Sequence, residues 1–429
     1  MKYKILIRGP ALSQTGYGEQ CRFALRALRT REDLFDIYLL NIPWGGTNWL
    51  FDNDEERKWM DSLILKTLPL LQKQKENPNN PIFDVGLHVT IPNELHAIAP
   101  KNVLYTAGIE TDKVCAEWVA KCHRFADKIL VISEHAKAGF KVPVRAQDQS
   151  GNAVDFVLEK PIEVVHYPVK KIETKDLDVS LETDFNFLTM AQWGPRKNIP
   201  DTVAWFCKEF KDDENVGLVV KTFAKGNSQI DKAFMEKTLQ GILNNFPDRK
   251  CKVYFLHGYM SEQEIHSLYV HPKIKAFINF GHGEGFGLPI FEAAYSGLPV
   301  ITHDFGGQKD FLYAPKKDKK TKKEKIRPHY VKVAYSQKPV QPEVLWEGVV
   351  EADMQWAYPI EASCRMAMRD VVKNYGMSLG NAKRLKSWLE DKFEQEKKYE
   401  DFLQKSGFLE SALERQEIDD LFADLFDDE

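Results

Sequence analysis

The segment that most restricts how this chain folds is Gly281-His-Gly-Glu-Gly-Phe-Gly-Leu-Pro-Ile-Phe-Glu292, continuing as Ala293-Ala-Tyr-Ser-Gly-Leu-Pro-Val-Ile-Thr302. Before it, the run Ala-Phe-Ile-Asn-Phe at 276–280 is short, apolar and glycine-bounded, as in a strand buried in a parallel sheet. After it, 290–296 has the spacing of a helix packed on a sheet. The element is therefore strand, glycine-rich turn, helix. Such a turn aims several amide N–H groups at one spot, over the positive end of a helix dipole. Glycines 283, 285 and 287 let backbone approach a ligand that side chains would block. Glu284 and Glu292 bracket the turn and can face the same crevice.

The rest of the chain repeats this plan. At 429 residues it exceeds one ordinary core, which predicts two domains. Residues 4–8 read as a first strand. It feeds a loop carrying Gly16 and Gly18, then a helix with Phe23, Ala24, Ala27 and Leu28 on one face; the loop suits a phosphate or a sugar edge. Strands at 35–40, 85–89, 102–106 and 128–132, with helical stretches between, predict a doubly wound parallel sheet. The loop Trp44-Gly-Gly-Thr-Asn-Trp49 is either an acceptor platform or a plain surface loop. His88, at a strand end, is either structural or catalytic. Glu110 and Asp112 follow a strand on the crevice side, as ligand contacts or as helix caps. A strand from 162 that ends at Pro168 suits a crossover between domains.

The second domain opens with a strand at 185–190 and the turn Gly194-Pro-Arg-Lys-Asn198. Two cations at a strand-to-helix turn suit a departing nucleoside diphosphate, because they neutralise charge developing on the leaving oxygens. Strands follow at 216–221, where Lys221 faces phosphate or solvent, and at 252–256 and 275–280. Ser261 and Glu264 have capping-box spacing.

The string Glu284-Gly-Phe-Gly-Leu-Pro-x-x-Glu292-Ala, then Gly297-Leu-Pro-Val-Ile, resembles the Glu-x7-Glu signature of retaining, nucleotide-sugar-dependent glycosyltransferases of family 4 and their glycogen-synthase relatives. The resemblance covers most of 1–310 and is tight only around 276–302. It implies an α/β fold of the GT-B type, two facing Rossmann-like domains with an interdomain cleft. Residues 1–168 would bind acceptor and 169–375 the donor, helices at 376–410 would cross back, and 411–429 would form an acidic-aromatic tail. It further implies a catalytic set of Glu284, Arg196, Lys197 and Glu110. Lys197 and Arg196 would hold the diphosphate, Glu284 the sugar hydroxyls and Glu292 the ribose. The amides of Gly285, Phe286, Gly287 and Leu288 would meet sugar and phosphate oxygens. Gly16 and Gly18 would close over the diphosphate, with His257, Gly258 and Tyr259 beside the nucleobase. The family's arginine lies several residues earlier, where this chain has Gln192, so Arg196 is the substitute. No metal and no cofactor are expected, only a nucleotide-sugar substrate, with a UDP-sugar as the leading donor.

The formal charge of −4 argues against a surface that coats nucleic acid uniformly. Six cysteines lack metal-ligand spacing and read as reduced, buried thiols. The N-terminus enters a strand directly without a signal-like apolar region, and no run reaches membrane-spanning length, so a cytoplasmic protein is expected. A lysine-rich insertion at 314–327 is a solvated loop or a contact for a polyanionic acceptor. The end, Glu417-Ile-Asp-Asp-Leu-Phe-Ala-Asp-Leu-Phe-Asp-Asp-Glu429, places Leu421-Phe422 and Leu425-Phe426 four residues apart on one helical face. It resembles the acidic-aromatic C-termini with which replication factors dock on a sliding clamp; docking on its own domains is the alternative. The expected acceptor is a glycan or other cell-surface precursor, and the runner-up is DNA with hydroxymethylated bases. A noncatalytic nucleotide-sugar-binding protein is the third reading. A dinucleotide oxidoreductase would need Gly-x-Gly-x-x-Gly with an acid at the ribose, which neither domain's opening offers.

Overall fold

Apolar strands that each feed a helix assemble into two parallel sheets. The computed structural model describes residues 2–51, 54–147, 152–317 and 323–427, with side chains for all of these except 147 and 422–427. The first sheet contains β1 (Tyr3–Gly9), β2 (Phe35–Asn41), β3 (Val85–His88), β4 (Lys101–Thr106), β5 (Lys128–Val131) and β6 (Ile162–Val164), in the spatial order β2-β1-β3-β4-β5-β6. The second contains β7 (Phe185–Gln192), β8 (Val216–Phe223), β9 (Lys252–Leu256), β10 (Ile274–Asn279), β11 (Val300–Thr302) and β12 (Val331–Lys332), ordered β9-β8-β7-β10-β11-β12. Neighbouring strands are parallel throughout both sheets. Successive residues such as Ile5-Leu6-Ile7 and Leu218-Val219-Val220 are all buried. Burial without alternation is what helices on both faces of a sheet demand.

Each sheet reverses its strand order once, between β1 and β3 in the first and between β7 and β10 in the second. At such a reversal the flanking connections leave to opposite faces, and a crevice opens beyond the carboxyl ends of the strands. The loops after β7 and β10 carry 193–198 and 280–287. The two stretches singled out from the sequence therefore flank one switch point.

Two chain crossings join the domains side by side. The linker after β6 runs into the second domain, and Val169 N donates to Phe393 O at 2.8 Å, where the chain returns. Helices Glu361–Lys373 and Tyr375–Lys392 pack on the second domain, whereas Gln395–Ser406 packs on the first helix, Gly16–Arg29. The aromatics of this region are thus divided between the domains. Phe393 lies 5.3 Å from Phe291 of the second domain, while Tyr399 and Phe402 each lie 5.7 Å from Phe23 of the first. Three antiparallel hairpins were not anticipated, Val144–Gln147 with Ala153–Phe156, Tyr313–Lys317 with Glu324–Pro328, and Tyr335–Pro339 with Gln355–Pro359. Their strands are four or five residues long, and those at 313–317, 324–328 and 335–339 are polar or lysine-rich, so none gives a sustained apolar alternation.

Asn198 is one of the ties across the second switch point, beside His282 N to Arg196 O at 2.7 Å. Asn198 is the one non-glycine with positive φ (50°) among the described residues, and its Nδ2 donates to Phe280 O at 3.1 Å, joining the two loops. Asn198→Ala combines left-handed strain with a lost buried bond, so unfolding free energy in urea should fall by about 2 kcal/mol. Asn198→Gly, free of the strain, should recover about half of that. Wild-type stability of the alanine variant would refute the role.

Candidate functional site

Four charged side chains from both domains meet at that switch point. Lys197 and Arg196 come from the turn after β7, Glu284 from the glycine loop after β10, and Glu110 from the loop after β4. Lys197 Nζ lies 2.5 Å from Glu284 Oε1, and Arg196 Nη1 lies 3.5 Å from Glu284 Oε2. Across the cleft, Arg196 Nη2 reaches Glu110 Oε1 at 3.3 Å. Burial by itself would raise the Glu284 carboxyl, but the Lys197 ammonium and Arg196 guanidinium outweigh it and hold the acid below the carboxylate range. Burial and the neighbouring Arg196 push the Lys197 ammonium down. Glu284 stays ionised, with both cations committed to it.

The glycine loop brings these groups together by backbone proximity. A Cβ on Gly283 would come within 2.0 Å of Glu110 O, and one on Gly285 within 2.2 Å of Ala107 O. The close approach that these glycines allow is therefore to the opposite domain. Arg196 Nη1 donates to Gly283 O at 2.7 Å and Ser133 Oγ to Gly285 O at 2.6 Å. Gly287, at φ +90°, turns the chain into the helix Leu288–Tyr295 and supplies no side-chain cap. Pro289 has no N–H and Phe291 N returns to Gly287 O at 2.9 Å, which leaves Leu288 and Ile290 as the first-turn amides for a ligand. Phe286 turns its ring into the core, 5.1 Å from Tyr167 and 4.9 Å from Phe311, so only its backbone is placed to meet a ligand.

The remaining donor-side residues form a second group along this helix. Gly16 faces Leu288 and its carbonyl accepts from Tyr167 Oη at 3.3 Å. Gly18 is buried, and its amide caps back onto Thr15 Oγ1 at 3.1 Å. Between them, Tyr17 bonds Thr106 Oγ1 at 2.8 Å and accepts from Ala107 N at 3.1 Å, a contact that the sequence does not mark. Glu292 accepts from Tyr269 Oη at 3.0 Å and shares a small pocket with Glu19, Lys170 and Leu288. Lys170 binds Glu19 at 2.7 Å and Glu262 at 2.6 Å, which staples the linker to both domains. At the turn after β9, Lys221 Nζ donates to Gly258 O at 2.6 Å, and Tyr259 meets Phe51 of the first domain edge-on at 5.3 Å. Ser261 and Glu264 form the capping box read from their spacing.

Other candidates take no part in this cluster. His88 is buried beside His96, and burial with Arg8 nearby pushes it down to about 3, so it is neutral. Trp44 packs 4.5 Å from Tyr17, and the 44–50 loop folds back on the first glycine loop through Gln14 N to Asn48 O and Leu50 N to Leu12 O. In the lysine-rich insertion, Lys316 stands opposite Lys325 on an exposed hairpin, and residues 318–322 lie outside the described residues. The tail belongs to the helix Phe408–Asp427, with Ile418 and Leu421 exposed; the side chains of Phe422, Leu425 and Phe426 lie outside the described residues. All six cysteines are free and buried. No described helix is long and apolar enough to cross a membrane.

Beyond the charge cluster lies an interdomain pocket of about 260 Å³. Its floor is Glu110, Arg196 and Lys197, and its walls include Trp118, Trp193 and Trp356.

Comparison with known proteins bears on this geometry. Residues 250–317, which contain the whole glycine loop and both glutamates, match the family model described as glycosyl transferases group 1. A 119-residue stretch is 30% identical to the serotype-specific mannosyltransferase WbdA of Escherichia coli, covering 28% of this chain and only 13% of that protein. Among solved structures, sucrose-phosphate synthase of Thermosynechococcus elongatus aligns over 96% of this chain and 100% of its own, with TM-score 0.58 and 12% identity. Anabaena HepE in complex with UDP and glucose aligns over 94% and 98%, with TM-score 0.56 and 13% identity. The chain has the GT-B fold.

Burial pushes the Glu292 carboxyl from its ordinary 4.5 up to about 7, against the pull of Lys170. Below the ordinary value the acid is protonated folded or unfolded. Between that value and about 7 only the unfolded chain releases its proton, so the folded state loses stability as pH rises. Glu292→Gln lacks this loss. Its melting temperature relative to wild type should climb from pH 4.5 to 7 and then level; a difference independent of pH would contradict the assignment.

Proposed function

We propose that this chain is a retaining, metal-independent glycosyltransferase of the Glu-x7-Glu type in family 4, moving a sugar from a nucleotide-sugar donor to an acceptor hydroxyl. The observation that carries the reading is the convergence of Arg196, Lys197, Glu284 and Glu110 beside the uncapped start of helix Leu288–Tyr295. A UDP-sugar is the proposed donor and a glycan the proposed acceptor. HepE, solved with UDP and glucose, supports the donor, and WbdA, a mannosyltransferase, supports sugar transfer. The six reduced thiols support a cytoplasmic site of action.

The chemistry follows from charge. A diphosphate carries more negative charge than Glu284, so its arrival draws Lys197 and Arg196 from the carboxylate to the phosphate oxygens. Glu284, relieved of its cations, is then able to accept hydrogen bonds from sugar hydroxyls. Glu292 and Gly258-Tyr259 hold the ribose and base, and Gly16 closes over the diphosphate. As the bond from the anomeric carbon to the phosphate oxygen breaks, the two cations and the helix amides stabilise the charge on the leaving group. The acceptor oxygen bonds the same face of that carbon, and its proton passes to the departing phosphate oxygen. Glu110, fixed by Arg196, positions the reacting sugar from the first domain.

Lys197→Met should lower kcat about 10²–10³-fold, the usual cost of one stabilising donor lost from the transition state. Glu292→Gln should strongly impair donor use while circular dichroism shows an intact fold. Near-normal transfer by either variant, assayed with UDP-, GDP- and ADP-sugars, would reject the proposal.

A further inference from the structure

The pocket beyond the charge cluster is roofed by a flap that reaches across from the other domain. Residues 340–354 connect strands Tyr335–Pro339 and Gln355–Pro359 of the second domain and are pinned to the first. Asn93 Nδ2 and Cys115 Sγ donate to Gly348 O at 2.8 and 3.1 Å. The backbones of Asp112 and Gln355 bond at 2.9 Å, Gln355 N also donates to Asp112 Oδ1 at 2.8 Å, and Lys113 pairs with Asp353. Gly348, at φ +72°, makes the tight turn that Trp346 and Val350 close with backbone bonds of 3.0 and 2.7 Å. Asp112, read from sequence as a ligand contact or a cap, instead anchors this flap.

The flap has two distinct faces. Val344, Val349 and Val350 line the pocket. On the solvent side Trp346 is 59% exposed, flanked by the exposed carboxylates Glu343 and Glu347. Glu351 and Asp353 follow, and 340–354 contains no lysine or arginine. The pocket wall also holds an unmet donor. Trp356 is 3% exposed, and among the described lining residues its indole N–H is the one buried side-chain polar atom without a partner. A buried donor left unbonded is costly.

We infer that this flap is the acceptor-recognition element and that the acceptor is an uncharged saccharide, an inference that rests on the transferase reading above. A pyranose presents an apolar C–H face, which indole and valine surfaces can cover, and hydroxyl groups, which donate to carboxylates and accept from indole N–H. A phosphate- or carboxylate-bearing acceptor would enter within about one Debye length, roughly 8 Å, of the flap's carboxylates and meet like charge. The pocket's own cations do not offset this, because Lys113 is paired with Asp353 and Arg196 and Lys197 with Glu110 and Glu284, and no residue of the lysine-rich hairpin lines the pocket.

The test uses the full-length chain and the nucleotide sugar whose slow hydrolysis it supports. Acceptors are maltotriose, chitotriose and mannotriose, their glucuronate-terminated analogues, and duplex DNA carrying hydroxymethylcytosine. Neutral trisaccharides should be favoured over both anionic sets by at least about tenfold in kcat/KM. In the double variant Glu343→Lys, Glu347→Lys that preference should shrink to about twofold, with donor hydrolysis reporting an undisturbed donor site. Trp346→Ala should raise acceptor KM about tenfold at little-changed kcat, and Trp346→Phe should restore most of it. Donor hydrolysis with equal or better transfer to an anionic acceptor, with no transfer to any neutral saccharide, or with KM and preference indifferent to these variants, overturns the inference alone. Absence of both binding and hydrolysis for UDP-, GDP- and ADP-sugars defeats the transferase reading itself, and this inference with it.

Discussion

The contact between Lys197 and Glu284 is the constraint on which the rest of the molecule depends. Both side chains are largely out of solvent, and the ammonium is held on the carboxylate at 2.5 Å with Arg196 beside it. Removing one partner of such a pair with nothing in exchange costs about 3–5 kcal/mol. The cations therefore leave Glu284 only for a ligand that offers more negative charge at the same place. A pyrophosphate does, and a single hydroxyl does not. On the proposed reading this makes the pair a filter as well as a store of positive charge.

The fold exists around that contact in a definite sense. Parallel sheets of this type open a crevice where strand order reverses, and the second sheet places the turns after β7 and β10 on either side of it. Glycines at 283 and 285 then let the loop touch the backbone of residues 107–110. Any side chain there would hold the domains apart and separate Arg196 from Glu110. The linker is secured by Lys170 between Glu19 and Glu262, and the returning chain crosses beside it at Phe393. Closure at the glycine loop leaves two spaces, one along helix Leu288–Tyr295 and one under the flap.

Much of this is legible in the sequence. Parallel strands announce themselves as unbroken apolar runs, and the cations and acids of the site lie in turns next to such runs. What stayed hidden depends on residues far apart in sequence. Nothing near Gly283 says that its missing side chain faces Glu110 O, more than 170 positions away. Phe286 sits in a motif that reads as ligand-facing, yet its ring fills the space between Tyr167 and Phe311. The flap strands Tyr-Ser-Gln-Lys-Pro and Gln-Trp-Ala-Tyr-Pro lack alternation, so neither the hairpin nor its grip on Asn93, Asp112 and Cys115 has a local signal. Tyr399 and Phe402 follow Trp388 and Phe393 by only a few residues but pack in a different domain, because the chain crosses between them.

The most direct measurement is a crystal structure of the full-length chain with UDP. The expected result is that Lys197 Nζ has left Glu284 for a diphosphate oxygen at about 3 Å, with Arg196 beside it and the first-turn amides at Leu288 facing the phosphates. UDP bound elsewhere, or bound while the Lys197–Glu284 pair remains intact and no cation touches phosphate, would contradict the central role given to that pair.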